Sequence, residues 1–274
     1  MSGAPLPTPT KHTHTSLGHP RVHLRRTGST NERARELAFA GAPHGALVTA
    51  SEQTAGRGRQ GRRWSAPAGS SLLMSLVLRE VAPLLPLMAA VAVCDVAGPR
   101  ARIKWPNDIV VDVASAGQGL AKLAGILVEG RPYPRGHGQE GWAVLGIGLN
   151  VAVRLDELPA ELRPQAAERA AAGAGLPAAT LGLAPADIEP MLARLLLALE
   201  RRLAEPAQAT LEAWRARDAL RGREIAWGAA DAAEERRNRG RAEGIDGSGR
   251  LVVVLADGGR TTIGAGEVHL RELS

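Results

Sequence analysis

The chain is short of cysteine, lysine and non-tryptophan aromatics. Its 274 residues hold one cysteine, Cys94, so no intrachain disulfide framework is possible and a reducing compartment fits. Cys94 lies in the apolar run "AVAVCDVAG" and reads as a small core residue. No apolar run approaches the roughly 20 residues that span a bilayer, so no membrane-spanning helix is expected. The first twenty residues, "MSGAPLPTPTKHTHTSLGHP", have no apolar centre and read as a disordered tail, not a signal peptide. His12, His14 and His19 there lack acidic or cysteine partners at ligand spacing, which argues against a metal site. Phe39 and Tyr133 are the only aromatics besides tryptophan, so the strands offer no stacking platform for single-stranded nucleic acid.

Lysine is rare by preference: of 34 basic residues only Lys11, Lys104 and Lys122 are lysines. A lysine kept in such a chain marks places where a compact ammonium suits and a planar guanidinium does not. Asparagine occurs only at Asn31, Asn107, Asn150 and Asn238. Net charge is +6, which favours an anionic partner without specifying a fold.

The length suits one large domain and a small one. "GSTNERARELAFAG" reads as a short helix, with Ser29 and Glu32 spaced as a capping box. Strands are expected at 45–53, 71–80, around "RIKW" and "DIVVDV", and at 120–130 and 141–153. The connection "RPYPRGHGQE" is turn-rich, and 155–185 is Ala-, Pro- and Gly-rich without clear pattern. Helices are expected at 84–98, 186–203 and 207–219. After residue 220, short apolar runs divided by "DGSG" and "DGG" read as a small barrel.

Four segments carry chemistry. Ser29, Thr30 and Asn31 open a helix, where free N–H groups and hydroxyls can meet a polar ligand or simply cap. "QTAGRGRQGRRW" (53–64) combines Gly56, Gly58 and Gly61 with Arg57, Arg59, Arg62 and Arg63 and ends in Trp64. Glycines allow close backbone approach, guanidinium forks suit phosphate, and an indole stacks on a base. Without a Gly-Lys-Ser/Thr ending it is no P-loop. Alone it fits a phosphate-bearing ligand, a nucleic acid or a solvated basic loop. "KWPND" places Lys104, Asn107 and Asp108 together, with Asp108 a candidate Mg²⁺ ligand. "KLAGILVE" carries Lys122 into a buried-looking strand, where it needs an anion. "GIGLN" adds Gly146 and Gly148 as bare walls and Asn150 as a polar anchor.

In this order, "STN", "QTAGRGRQGRRW", "KWPND", "KLAGILVE" and "GIGLN" resemble the biotin–protein ligase family over residues 21–153. The resemblance implies an α+β fold, a mixed and mostly antiparallel sheet with helices like that of class II aminoacyl-tRNA synthetases. It implies a catalytic domain over 21–220 and an SH3-like C-terminal barrel over 221–274. It implies ATP and biotin as substrates with Mg²⁺, biotinyl-5′-AMP as intermediate, and a lysine of a biotin carboxyl carrier protein as acceptor. Ser29, Thr30, Asn31 and Gln53, with Gly125 and Gly146, would surround biotin. Gly56, Arg57, Gly58 and Arg59 would close over biotin and the phosphates, and Lys122 would touch the biotin carboxylate and the adenylate phosphate. Arg62, Trp64 and Asn150 would serve the nucleotide, and Lys104, Asn107 and Asp108 the phosphate and metal side. The stretch from Asp108 to Lys122 is longer than the resemblance leads one to expect.

Some members of that family begin with a DNA-binding winged helix. About 20 residues precede the motifs here, so a monofunctional type with no specific DNA partner is expected. A cytoplasmic monomer or weak homodimer completes the expectation. A lipoate–protein ligase of the same fold and a basic nucleic-acid-binding module are the rival readings.

Overall fold

The computed structural model describes residues 16–79, 81–113, 119–131, 141–163, 176–228, 238–264 and 267–270. The chain runs through strands β1 (Arg21–Leu24), β2 (Leu47–Ala50), β3 (Gly56–Arg57), β4 (Arg63–Trp64), β5 (Ser71–Leu78), β6 (Arg102–Lys104), β7 (Asp108–Asp112), β8 (Leu120–Arg131) and β9 (Trp142–Asn150). Helices α1 (Thr30–Phe39), α2 (Leu85–Ala97), α3 (Ile188–Ala204) and α4 (Ala207–Arg215) cover them. Strands β10 (Glu224–Gly228), β11 (Asn238–Ile245), β12 (Leu251–Val254), β13 (Arg260–Ile263) and β14 (Glu267–Leu270) follow.

Seven strands form one sheet in the order β1-β2-β5-β9-β8-β7-β6. Only β1–β2 is parallel. Side chains alternate across a strand, so each strand serves two faces. On one face Leu72, Met74, Leu76 and Leu78 join Leu145, Ile147, Leu149 and Ile126 in the main core with α2 and α3. Helix α2 is apolar nearly all round and is buried accordingly. Cys94 lies within it, 1% exposed, and burial pushes its thiol up to about 12. Gly98, at φ 98°, ends the helix in a conformation that side chains resist.

The other face carries Ser71, Ser75, Gly146, Gly148, Asn150 and Gly125, as the register requires. Helix α1 covers one end of it, setting Ala34 and Ala38 against Val48, Val77, Trp142 and Val144. The remaining end is where the motif residues gather.

The C-terminal strands form an antiparallel sheet in the order β13-β12-β11-β10-β14. The "DGSG" turn closes because Asp246 accepts from Ser248 N (2.8 Å) and Arg250 N (3.0 Å). Links that join this sheet to the first include Lys104 Nζ donating to Val268 O (2.8 Å) and Trp105 Nε1 to Gly249 O (3.1 Å).

Three expectations change. The helix expected to reach 219 stops at Arg215, because the edge strand β6 takes the next residues as partners. Ile103 N donates to Arg217 O (2.7 Å) and Ala219 N to Ile103 O (2.9 Å). The tail expected through residue 20 is packed from Ser16 onward among the described residues: Leu17 is 1% exposed, and Ser16 binds Glu200. The capping box does not form, since Ser29 makes no side-chain cap bond. His12, His14, the connection 132–140 and residues 164–175 lie outside the described residues.

Candidate active site

The cap that Ser29 was expected to make comes from Gln53, 23 residues on from Thr30. Gln53 Oε1 accepts from Thr30 N (2.7 Å) and Thr30 Oγ1 (3.1 Å). Ser29 is left 2% exposed with its hydroxyl not spent on the helix. Asn31 is also buried, and Gly146 is bare because a Cβ there would overlap Asn31 Oδ1. Ser75 Oγ lies 2.7 Å from Asn31 Oδ1 and 2.8 Å from Thr30 Oγ1, with one proton to serve one of them at a time. Asn31 Nδ2 donates to Glu129 Oε2 (2.9 Å).

The arginine segment is a small hairpin, not an open loop. Gly56 pairs with Trp64 and Arg57 with Arg63, and Gly58 N donates to Arg62 O (2.7 Å). Its turn passes through Arg59, Gln60 and Gly61, and Gln60 stands in the left-handed region at φ 53°. Arg63 is tied to Thr54 O (2.7 Å), and Arg57 lies 3.3 Å from Glu129.

The hairpin lays Trp64 on a floor made by two paired glycines. A Cβ on Gly148 would come 2.6 Å from Trp64 Cε2, and one on Gly125 3.1 Å from Cζ3. Trp64 Nε1 is buried with no hydrogen-bond partner. Lys122 Nζ stands 5.7 Å from the indole centroid.

Lys122 finds its anion in Asp108, at 2.6 Å. Burial pushes the Asp108 carboxyl up, but the charges of Lys122, Lys104 and Arg62 outweigh it and hold the group below the usual carboxylate range. The β7–β8 hairpin forms despite the long connection, with a bulge between Ile109 and Val110. Lys122 N there donates to Pro177 O (2.6 Å), and Ala179 N donates to Lys122 O (2.8 Å). The unpatterned 155–185 stretch thus supplies backbone to the bulge.

Three further expected residues are also engaged by the protein itself. Asn107 Nδ2 donates to Ile126 O (3.0 Å). Asn150 donates to Ala179 O (2.9 Å) and accepts from Ser71 Oγ (3.2 Å). Lys104 reaches the C-terminal sheet. Ser75 and Glu129 were not singled out in the sequence. Glu129 ends the "KLAGILVE" segment, on the same strand face as Gly125, so parity along β8 was its signal.

The Biotin/lipoate A/B protein ligase family matches residues 23–150, and the Biotin protein ligase C terminal domain matches 234–271. A bifunctional ligase/repressor BirA from Bacillus spizizenii is 41% identical over 144 residues, 49% of this chain and 41% of that protein. This chain therefore spans less than half the length of that relative. A biotin–[acetyl-CoA-carboxylase] ligase from Mycobacterium tuberculosis is 35% identical over 268 residues, covering 89% of this chain and 87% of that one. The fold matches a biotin protein ligase from Aquifex aeolicus, solved in complex with biotin and ATP, with TM-score 0.67 at 22% identity over 92% of this chain and 99% of the other. Matched along most of its length to one relative and in both halves to the family's domains, the chain belongs to the biotin–protein ligase family.

Proposed function

We propose that the protein is an ATP-dependent biotin–protein ligase acting on a lysine of a biotin carboxyl carrier domain. The observation that carries this is the gathering of Trp64, Lys122 and the arginine hairpin over the Gly125–Gly148 floor. In the first step a biotin carboxylate oxygen attacks the α-phosphorus of ATP, and the bond to pyrophosphate breaks. Two anions meet, so fixed cations must offset their repulsion. Arg57, Arg59 and Lys122 supply that charge, and Lys122 exchanges Asp108 for the substrate oxygens. Ser29, Thr30, Asn31 and Gln53 line the polar end that receives biotin's ureido head. Trp64 offers its ring to the adenine and its unpaired N–H to an incoming acceptor. In the second step the deprotonated carrier lysine attacks the acyl carbon and AMP leaves.

Mg²⁺ accompanies ATP in this reading, but Asp108 does not fit as its ligand. One carboxylate already faces the charges of Lys122, Lys104 and Arg62. Among the described residues no group of three or more His, Cys, Asp or Glu could hold a metal ion. Asn107, Asn150 and Lys104 enter as scaffold holding the floor and the second sheet. We read residues 21–220 as a catalytic domain of class II synthetase type and 221–274 as an SH3-like barrel. No described helix is long and apolar enough to cross a membrane, and a cytoplasmic protein that is monomeric or weakly dimeric and reads no DNA sequence completes the reading.

Biotin-dependent exchange of labelled pyrophosphate into ATP tests it, followed by transfer of biotin to a carrier domain. Exchange supported by lipoate and not by biotin would make it the lipoate enzyme instead.

A further inference from the structure

Glu129 has more partners than a partly exposed carboxylate needs. Its Oε2 accepts from Asn31 Nδ2 at 2.9 Å, while Oε1 lies 3.3 Å from Arg57 and 3.7 Å from Arg35. Asn31 and Arg35 stand one turn apart on α1 and so share a helix face. Arg57 comes from the hairpin. The Glu129 side chain is 20% exposed, so losing its cation would leave a poorly solvated charge. Arg35 Nε is buried with no hydrogen-bond partner. Arg35 Nη1 lies beside a carboxylate that another arginine holds more closely.

We infer that Glu129 is a positioning residue that holds Arg57 while the site is empty and is taken over by Arg35 when a phosphate draws Arg57 away. Carboxylate and phosphate compete for the same guanidinium fork. Without a second cation, moving Arg57 to the ligand would strand Glu129 and work against binding. With Arg35 in reserve the carboxylate is never alone. Arg35 thereby assists nucleotide binding without touching the nucleotide. The inference rests on the ligase reading above for the identity of the phosphate.

Three variants test it: Glu129→Gln, which keeps the acceptor for Asn31, Arg35→Met, and the two combined. Two readouts are used, tryptic cleavage at Arg57–Arg63 without ligand and the KM for ATP in pyrophosphate exchange. Glu129→Gln should speed cleavage about threefold by releasing the hairpin. Arg35→Met should raise the KM about three- to tenfold with kcat within about twofold, because Arg57 is then harder to detach. In the Glu129→Gln background Arg35→Met should have no effect on KM, since nothing remains to hand over. Additive effects in the double variant would mean that the two residues act only through general charge, and would overturn the inference. So would cleavage unchanged by Glu129→Gln. If the wild type shows no exchange at all, the ligase reading fails; ATP protection of the hairpin against trypsin then gives the same three-way comparison.

Discussion

The two faces of the sheet share their strands and differ in everything else. Leu76 and Leu145 are paired neighbours sealed in the core, while Ser75 and Gly146, one step away on the same strands, hold α1 and the candidate site. One face is filled by large side chains; at the site end the other is emptied by glycines so that Asn31 and Trp64 can settle onto it. Stability and chemistry are thus separated by residue parity within β5, β8 and β9. Substitutions one position apart should fail in different ways.

The largest expected effect is on the packed face. Leu145→Ala leaves a cavity among fully buried side chains and should cost about 3 kcal/mol in urea unfolding. Activity per folded molecule should stay near normal; a lost site with unchanged stability would break the comparison. Gly148→Ala is the matching change on the open face. Its methyl would drive Trp64 off the floor, and adenylate formation should fall on the order of 30-fold, about 2 kcal/mol, for little loss of stability. Retained adenylation would mean that the seat of Trp64 is unimportant.

Lys122→Arg should fold and lose adenylation by more than about tenfold, or about 1.4 kcal/mol. Lys11→Arg is the control for a chain that otherwise prefers arginine, and normal adenylation by Lys122→Arg would remove the argument from scarcity. The smallest effect concerns acid stability. Asp108 has its folded-state pKa below the ordinary 3.8, so its contribution is present above that value and is lost as pH falls through the folded one. Asp108→Asn should be less stable than wild type by about 1 kcal/mol at neutral pH, and the gap should close in acid. A gap of constant size from neutral pH down to the acid limit would show that the carboxylate's charge is not what stabilises.

Much of this was legible in the sequence. Strands β5, β8 and β9 and helix α2 announce themselves by apolar pattern, and Lys104, Lys122, Asn31, Asn107 and Asn150 mark real junctions. Scarcity did not reveal what each junction is for. Asn150 and Lys104, expected at the nucleotide and phosphate, hold segments 29 and 164 residues away, a role the motif does not announce. Gln53 caps α1 because tertiary structure brings it there, which no local capping rule anticipates. Glu129 was readable only once the face of β8 was known.

The bulge in the β7–β8 hairpin has a consequence for spacing. Lys122 and Gly125 are three residues apart, an odd count that sends two side chains to opposite faces of a regular strand. The register shift returns them to the same side: Asp108 lies opposite Gly125, yet Val110, two residues on, lies opposite Lys122. The motif "KLAG" therefore works as a phase shifter as well as a set of side chains. Straightening the bulge into regular pairing with all three steps kept would leave each letter of chemistry in the chain and still turn the ammonium out of the site. Anyone grafting these residues onto another sheet would need to carry the irregularity with them, along with the Pro177–Ala179 backbone that satisfies it.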